Sequence, residues 1–150
     1  MLAVKTRLFL QWTMPENVQQ VVPFLRVSSI ERSIPFYDAL GFTMKHKWEP
    51  NGKLRWCWLT LGGASLMLQD FAKPPDSKVG VGVSLAFQCE DAIALYRDFT
   101  KRGLAPSEPQ VGNSLWVTTL TDPDGYRLEF ASPTGIPEET RLSELQSASQ

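Results

Sequence analysis

Glu129, two residues after Arg127 in the stretch "TDPDGYRLEF" (residues 121–130), is the carboxylate of this chain best placed for chemistry. A tight turn followed by a strand would hold it in one direction, as a metal ligand, a base or a salt-bridge partner must be held. The other groups able to bind a metal or move a proton are few. There is one histidine, His46, and there are two cysteines, Cys57 and Cys89, all three inside predicted strands. Divalent metals that support isomerisation, lyase or oxygen chemistry want two histidines and a carboxylate, or an equivalent N/O set with open positions. Without a metal, Glu129 has three uses: pairing with an arginine such as Arg127, receiving a cationic or hydrogen-bonding group of a ligand, or acting as a base. A buried carboxylate needs a partner of this kind, because desolvation alone costs several kcal/mol.

The tryptophans form a second set. Trp56, Trp58 and Trp116 are broad, stiff surfaces on which a planar ligand can stack at modest entropic cost. Aromatic side chains are equally at home in a core or a subunit interface, and both uses stay open here.

At 150 residues the chain fits one domain or two very small ones sharing a core. Apolar residues make up 43% and charged residues 21%, an ordinary globular composition. A net charge of −1 gives no electrostatic case for nucleic acid or an anionic membrane. No apolar run approaches the ~20 residues a membrane helix requires. The start "MLAVKTRLFLQW" lacks a long apolar region and a small-residue cleavage site, so no signal peptide is expected. Met14 offers an alternative start, which would leave residues 1–13 as an extension. Two cysteines inside strands read as reduced thiols, which points to the cytoplasm.

Local patterns order the chain. Residues 21–27 predict a strand, and "SSIERSIPFYDALGF" a helix with capping-box spacing at Ser28 and Glu31, a stop at Gly41, and a bend or an early end at Pro35. Strands over 42–48, 53–61 and 64–70 follow, separated by the hairpin signals "NG" and "GG". "FAKPPDSKVG" reads as a linker. After it the same order returns: strand, helix to Gly103, a weak strand in "LAPSEPQV", and strands in "SLWVTTL" and "YRLEFAS". Internal duplication is therefore expected, with modules over 21–70 and 79–132 in a domain over 21–133. An extension over 1–20 and a tail over 134–150 flank it, the tail with a short helix from Pro137 to about Leu145 and frayed last residues.

Pairing across the turns sorts side chains by face. A two-residue Gly62–Gly63 loop puts Trp56, Trp58, Thr60, Ser65, Met67 and Gln69 on one side, with Cys57, Leu59, Leu61, Leu66 and Leu68 under the helix. A four-residue loop over 122–125 puts Trp116, Thr118, Leu120, Arg127 and Glu129 together, opposite Leu128 and Phe130. The "NG" turn pairs Lys47 with Trp56 and turns His46 away from the Trp face; a three-residue turn would bring it inward. A bulge would invert part of any such list. Two half-sheets, each with one mixed aromatic and polar face, suggest a shared cleft.

The duplicated βαβββ order, "FLRVSSIERSIPFYDALGF" and "DPDGYRLEF" together resemble the vicinal oxygen chelate superfamily of glyoxalases, bleomycin-resistance proteins and extradiol dioxygenases. The resemblance covers about residues 21–133. It implies an α+β fold of two tandem modules around a cleft, usually completed in a homodimer and sometimes by swapping. It implies metal-ligand positions at Val22, Met67, Ser84 and Glu129, of which only Glu129 carries a good ligand. Gln69 and Gln88 have cleft-facing parity but lie off those positions. Arg26 falls where glyoxalase-like relatives often present an anion-binding arginine.

The expectation is therefore a bleomycin-resistance-like homodimer that sequesters a partly aromatic small molecule, with neither cofactor nor metal. Its ligand-binding residues would be Arg26, Trp56, Trp58, Met67, Gln69, Ser84, Trp116, Arg127 and Glu129. The alternative is a metal-dependent lyase, isomerase or dioxygenase in which Glu129 is joined by His46 or glutamines. A scaffold whose cleft is filled by its own side chains is the third reading.

Overall fold

The computed structural model describes residues 17–70 and 79–149. Residues 1–16 of the expected extension, with the alternative start, and residues 71–78 of the expected linker lie outside the described residues. The first unit runs β1 (Phe24–Arg26), α1 (Ile30–Leu40), β2 (Thr43–Trp48), β3 (Trp56–Leu61) and β4 (Ala64–Gln69). The second repeats it as β5 (Ser84–Gln88), α2 (Ala92–Lys101), β6 (Gln110–Gly112), β7 (Leu115–Thr121) and β8 (Arg127–Pro133), before a last helix, α3 (Leu142–Ala148). Each unit forms a four-stranded mixed sheet of the same internal order, β1-β4-β3-β2 and β5-β8-β7-β6. In both, the first strand lies parallel to the fourth and the other pairs are antiparallel. This is the duplicated α+β arrangement that the sequence predicts.

Repetition extends to the helix starts. Helix α1 is capped by Ser29 rather than Ser28, its side chain accepting from the Arg32 amide, while the Ile30 amide donates to Asp70 Oδ2 at the end of β4. In α2 the cap is Asp91, and the Ala92 amide donates to Ser132 Oγ near the end of β8. Each sheet's last strand thus satisfies an amide that its helix cannot satisfy internally. Pro35 sits inside α1, which ends after 11 residues, about three turns. Gly41, at φ +103°, turns the chain out, a conformation costly for any residue with a Cβ.

Four local expectations are corrected. The "NG" pair does not make a two-residue hairpin: Asn51 and Gly52 close a single 3-10 turn, Pro50–Gly52, inside a longer connection, and Trp48 pairs with Trp56. The weak strand shrinks to Gln110–Gly112, its prolines withholding the amides a longer ladder needs. The tail helix begins at Leu142, not Pro137. It packs Leu142 against Trp116, Val111 and Ala92, so the tail completes the second unit. Finally, the 122–125 loop is one residue longer than expected, because Thr121 pairs with Arg127.

That longer loop is the joint between the units. Asp122 Oδ1 accepts from the amides of Asp124 and Tyr126, each at 2.9 Å, and Oδ2 accepts from the Tyr37 hydroxyl of α1 at 2.8 Å. Asp124 Oδ1 accepts from the Ser28 amide, and the Tyr126 hydroxyl donates to the Arg26 carbonyl. Around this joint one apolar core draws on both units, with Leu59, Leu66 and Leu68 from the first and Phe99, Leu128 and Phe130 from the second.

Both thiols carry consequences. Cys57 is fully buried, and burial pushes its pKa up to about 11. The thiolate is the reactive form, so Cys57 should resist alkylation in native protein at mildly alkaline pH, while the half-buried Cys89 labels slowly. Mass spectrometry after iodoacetamide treatment checks this; rapid native labelling of Cys57 would place it outside the core. Among the described residues no helix is long and apolar enough to cross a membrane.

Candidate functional site

The first sheet leaves one face uncovered by its helix, and strand register arranges that face in rows. One row runs His46, Trp58, Met67, Phe24 and the next Trp48, Trp56, Gln69, Arg26, each across β2, β3, β4 and β1. A third holds Thr43, Thr60 and Ser65. Arg26, Trp56, Trp58, Met67 and Gln69 are thereby brought together as the two-glycine hairpin requires. The alternate residues Cys57, Leu59, Leu66 and Leu68 are buried beneath α1.

His46 corrects an expectation. The longer β2–β3 connection moves the register by one and turns His46 onto the Trp face, edge-on to Trp58 with ring centroids 6.3 Å apart. A bulge between Met44 and His46 returns Met44 to its place opposite Leu59. Lys45 is the extra residue, and its ammonium lies 5.9 Å from the Trp58 ring centroid. Phe24 and Trp48 were missed from the sequence as members of this face; they are 48% and 52% exposed.

Trp116 is the second correction. With Thr121 opposite Arg127, β7 presents Trp116, Thr118 and Leu120 to the helix side with Leu128 and Phe130, and all five are buried. Trp116 is covered by the tail helix and is no part of an open surface. The open face of the second sheet carries Ser84 beside Arg127, Ala86 beside Glu129, and Gln88 beside Ala131. Glu129 Oε1 pairs with Arg127 Nε at 3.0 Å, which is the first of the three uses its position allowed. At the positions the resemblance assigns to metal, Val22 precedes β1, Met67 lies in the Trp row, and Ser84 and Glu129 lie on the other sheet. Among the described residues no three His, Cys, Asp or Glu side chains converge.

A cavity of about 890 Å³ opens between the units, within the size range of small-molecule sites. Its wall takes in the Gly62–Gly63 hairpin, the chain before β1, both faces of β5, and Leu95 and Arg102 of α2 and its end. Of the expected ligand-binding residues only Ser84 lines it. The cavity thus meets the Trp face only at its rim, through Ser65 of the third row, and not at the tryptophans.

A sequence profile of the Glyoxalase/Bleomycin resistance protein/Dioxygenase superfamily matches residues 17–130, about three quarters of the chain. The chain belongs to that superfamily. No curated protein matches the sequence. Among solved structures, a bleomycin-binding protein complexed with bleomycin is 20% identical, with a TM-score of 0.64 over 77% of this chain and 98% of that one. A bleomycin resistance determinant encoded on the transposon Tn5 is 21% identical, with a TM-score of 0.62 over 79% and 100%. TnmS3, an antibiotic binding protein from Streptomyces sp. CB03234, is 23% identical, with a TM-score of 0.60 over 78% and 98%. At these identities the likeness is one of fold, and superfamily members share the duplicated sheets while their sites differ.

Proposed function

We propose that this superfamily member is a cytoplasmic, homodimeric binding protein that sequesters a partly aromatic small molecule on the Trp face of its first sheet, without metal or cofactor. The observation that carries this reading is the alignment of Trp48, Trp56, Trp58, His46, Met67 and Phe24 in adjoining rows on the sheet face opposite the one that buries Cys57, Leu59, Leu66 and Leu68. Sequestration needs only affinity, and stacked indoles supply it. The donor set supports the absence of metal chemistry: a valine and a methionine thioether are poor partners for hard cations, and Glu129 already holds Arg127. Exposed Val21, just ahead of β1, suits a contact with a second copy. Binding and antibiotic-binding proteins among the structural neighbours agree with this use of the fold.

One observation favours the enzymatic alternative: His46 faces the Trp side rather than away from it. Metal analysis separates the two. After incubation with Ni²⁺, Mn²⁺, Fe²⁺ or Zn²⁺ and desalting, no metal should be retained. About one ion per chain, lost in Glu129→Ala, would make the protein an enzyme with an unusual ligand set.

The binding reading is tested by titrating planar antibiotics and simple aromatic compounds against tryptophan fluorescence. At least one should quench it saturably. Trp58→Ala should then weaken that ligand about tenfold, as expected for an aromatic stacking contact with its buried area, with the unfolding transition little changed. Loss of the fold in Trp58→Ala would instead make Trp58 a core residue.

A further inference from the structure

A buried donor without an acceptor and an exposed ammonium without a carboxylate meet on one ring of the first sheet. Trp58 Nε1 is buried and has no hydrogen-bond partner. The Lys45 ammonium lies over the same indole, and among the described residues no carboxylate meets it. The bulge brings it there: continued at the His46–Trp58 register, β2 would set Lys45 opposite Leu59, on the helix side. An unsatisfied indole N–H is costly when buried, and an ammonium gains less from a ring face than from an anionic oxygen.

The surrounding charges leave this pair unanswered. Lys47 is taken by Glu49 at 2.9 Å and Arg55 by Asp70 at 3.2 Å. The rows of the Trp face contain no carboxylate at all, and Arg26 sits at their far end, three strand spacings or ~14 Å from β2. Among the described residues of these rows, a cationic ligand would find no carboxylate to meet it.

We infer that the ligand of the Trp face is an aromatic acid: its ring lies against Trp56 and Trp58, and its anionic oxygen takes hydrogen bonds from Lys45 and the Trp58 indole. The chemistry recognised is an anionic oxygen group on a planar ring, whether carboxylate, sulfonate or phosphate. The flexible stem of Lys45 lets its ammonium move from the ring face to the oxygen. This rests on the binding function proposed above and adds the sign of the ligand's charge.

The test uses three probes of one shape: naphthoate, naphthylmethanol and naphthylmethylammonium, titrated into the full chain at low ionic strength. Naphthoate should bind about tenfold tighter than the neutral alcohol, the gain of one charge-assisted hydrogen bond at a partly exposed site, and the ammonium should bind weakest. Lys45→Ala should erase the difference between acid and alcohol by weakening the acid. Lys45→Arg should restore it. Lys47→Ala, which removes a cation paired with Glu49, should keep the preference. Equal binding of acid and alcohol, or a preference surviving Lys45→Ala, overturns this inference and leaves the binding function standing. Failure of all three probes to bind overturns both.

Discussion

Asp122→Ala should lower stability by about 3–5 kcal/mol, since it strands three buried donors that each cost roughly 1–3 kcal/mol when unpaired. Those donors are the amides of Asp124 and Tyr126 and the hydroxyl of Tyr37. Asp122 is itself 3% exposed, so water cannot replace the carboxylate without opening the joint between the units. Asp122→Asn should cost far less, because one amide oxygen can accept both backbone bonds and the Tyr37 hydroxyl can turn to accept from the amide nitrogen. Tyr37→Phe should cost about 1–2 kcal/mol by leaving one carboxylate oxygen unanswered. Urea unfolding of the three variants is the measurement. An Ala variant within about 1 kcal/mol of the parent would mean that the loop does not join the modules.

The same carboxylate carries a pH signature. Burial pushes the Asp122 pKa above its ordinary value, more than the hydrogen bonds from Tyr37, Tyr126 and Asp124 pull it down. The folded state then binds the proton more tightly than the unfolded chain does. The associated stability is fully present below the unfolded value and is lost as pH rises through the folded one. Acidification from neutral towards about pH 4 should therefore favour the parent over Asp122→Asn, which has no proton to gain. A difference that stays constant with pH would remove burial as the dominant influence on this group.

Gly80→Ala is the second large effect. A Cβ there would lie 2.4 Å from the Tyr126 amide nitrogen and 2.5 Å from its Cγ. Tyr126 cannot step aside cheaply: its amide is held by Asp122 and its hydroxyl by the Arg26 carbonyl, while Gly80 donates to the Asp124 carbonyl. Overpacking against fixed backbone should cost about 2–3 kcal/mol or more. Gly135→Ala, where a methyl meets nothing within 4 Å, should stay within about 0.5 kcal/mol. Equal midpoints for the two variants would show that the chain before β5 is free to move off the loop.

Periodicity and turn chemistry made the duplication legible, and with it both helices, the two-glycine hairpin and the division of β3 and β4 into an apolar and an aromatic face. These features are local. A side-chain period of two, read outward from a two-residue turn, leaves one register open. The Trp56, Trp58, Met67 and Gln69 set followed from that alone, and the structure keeps it.

Where the sequence misled, one residue was enough. The 121–130 stretch reads as a four-residue turn because Pro123 and Gly125 announce one. Asp122 instead folds back to hold the Tyr126 amide and draws one more residue into the loop, which inverts β7 and sends Trp116 inside. The "NG" pair likewise closes a 3-10 turn inside a longer connection, and His46 changes sides. Composition and spacing determined that this chain is two copies of one module with an aromatic sheet face; the family resemblance added that Glu129 is the one good ligand among the positions it implies for metal. Tertiary structure alone decided that Glu129 is held by Arg127, that Trp116 lies under the tail, and that Lys45 meets Trp58. The last two depend on a partner distant in sequence or on a one-residue shift of register, which local preference does not encode; the first chose among uses that the spacing of Arg127 and Glu129 already allowed.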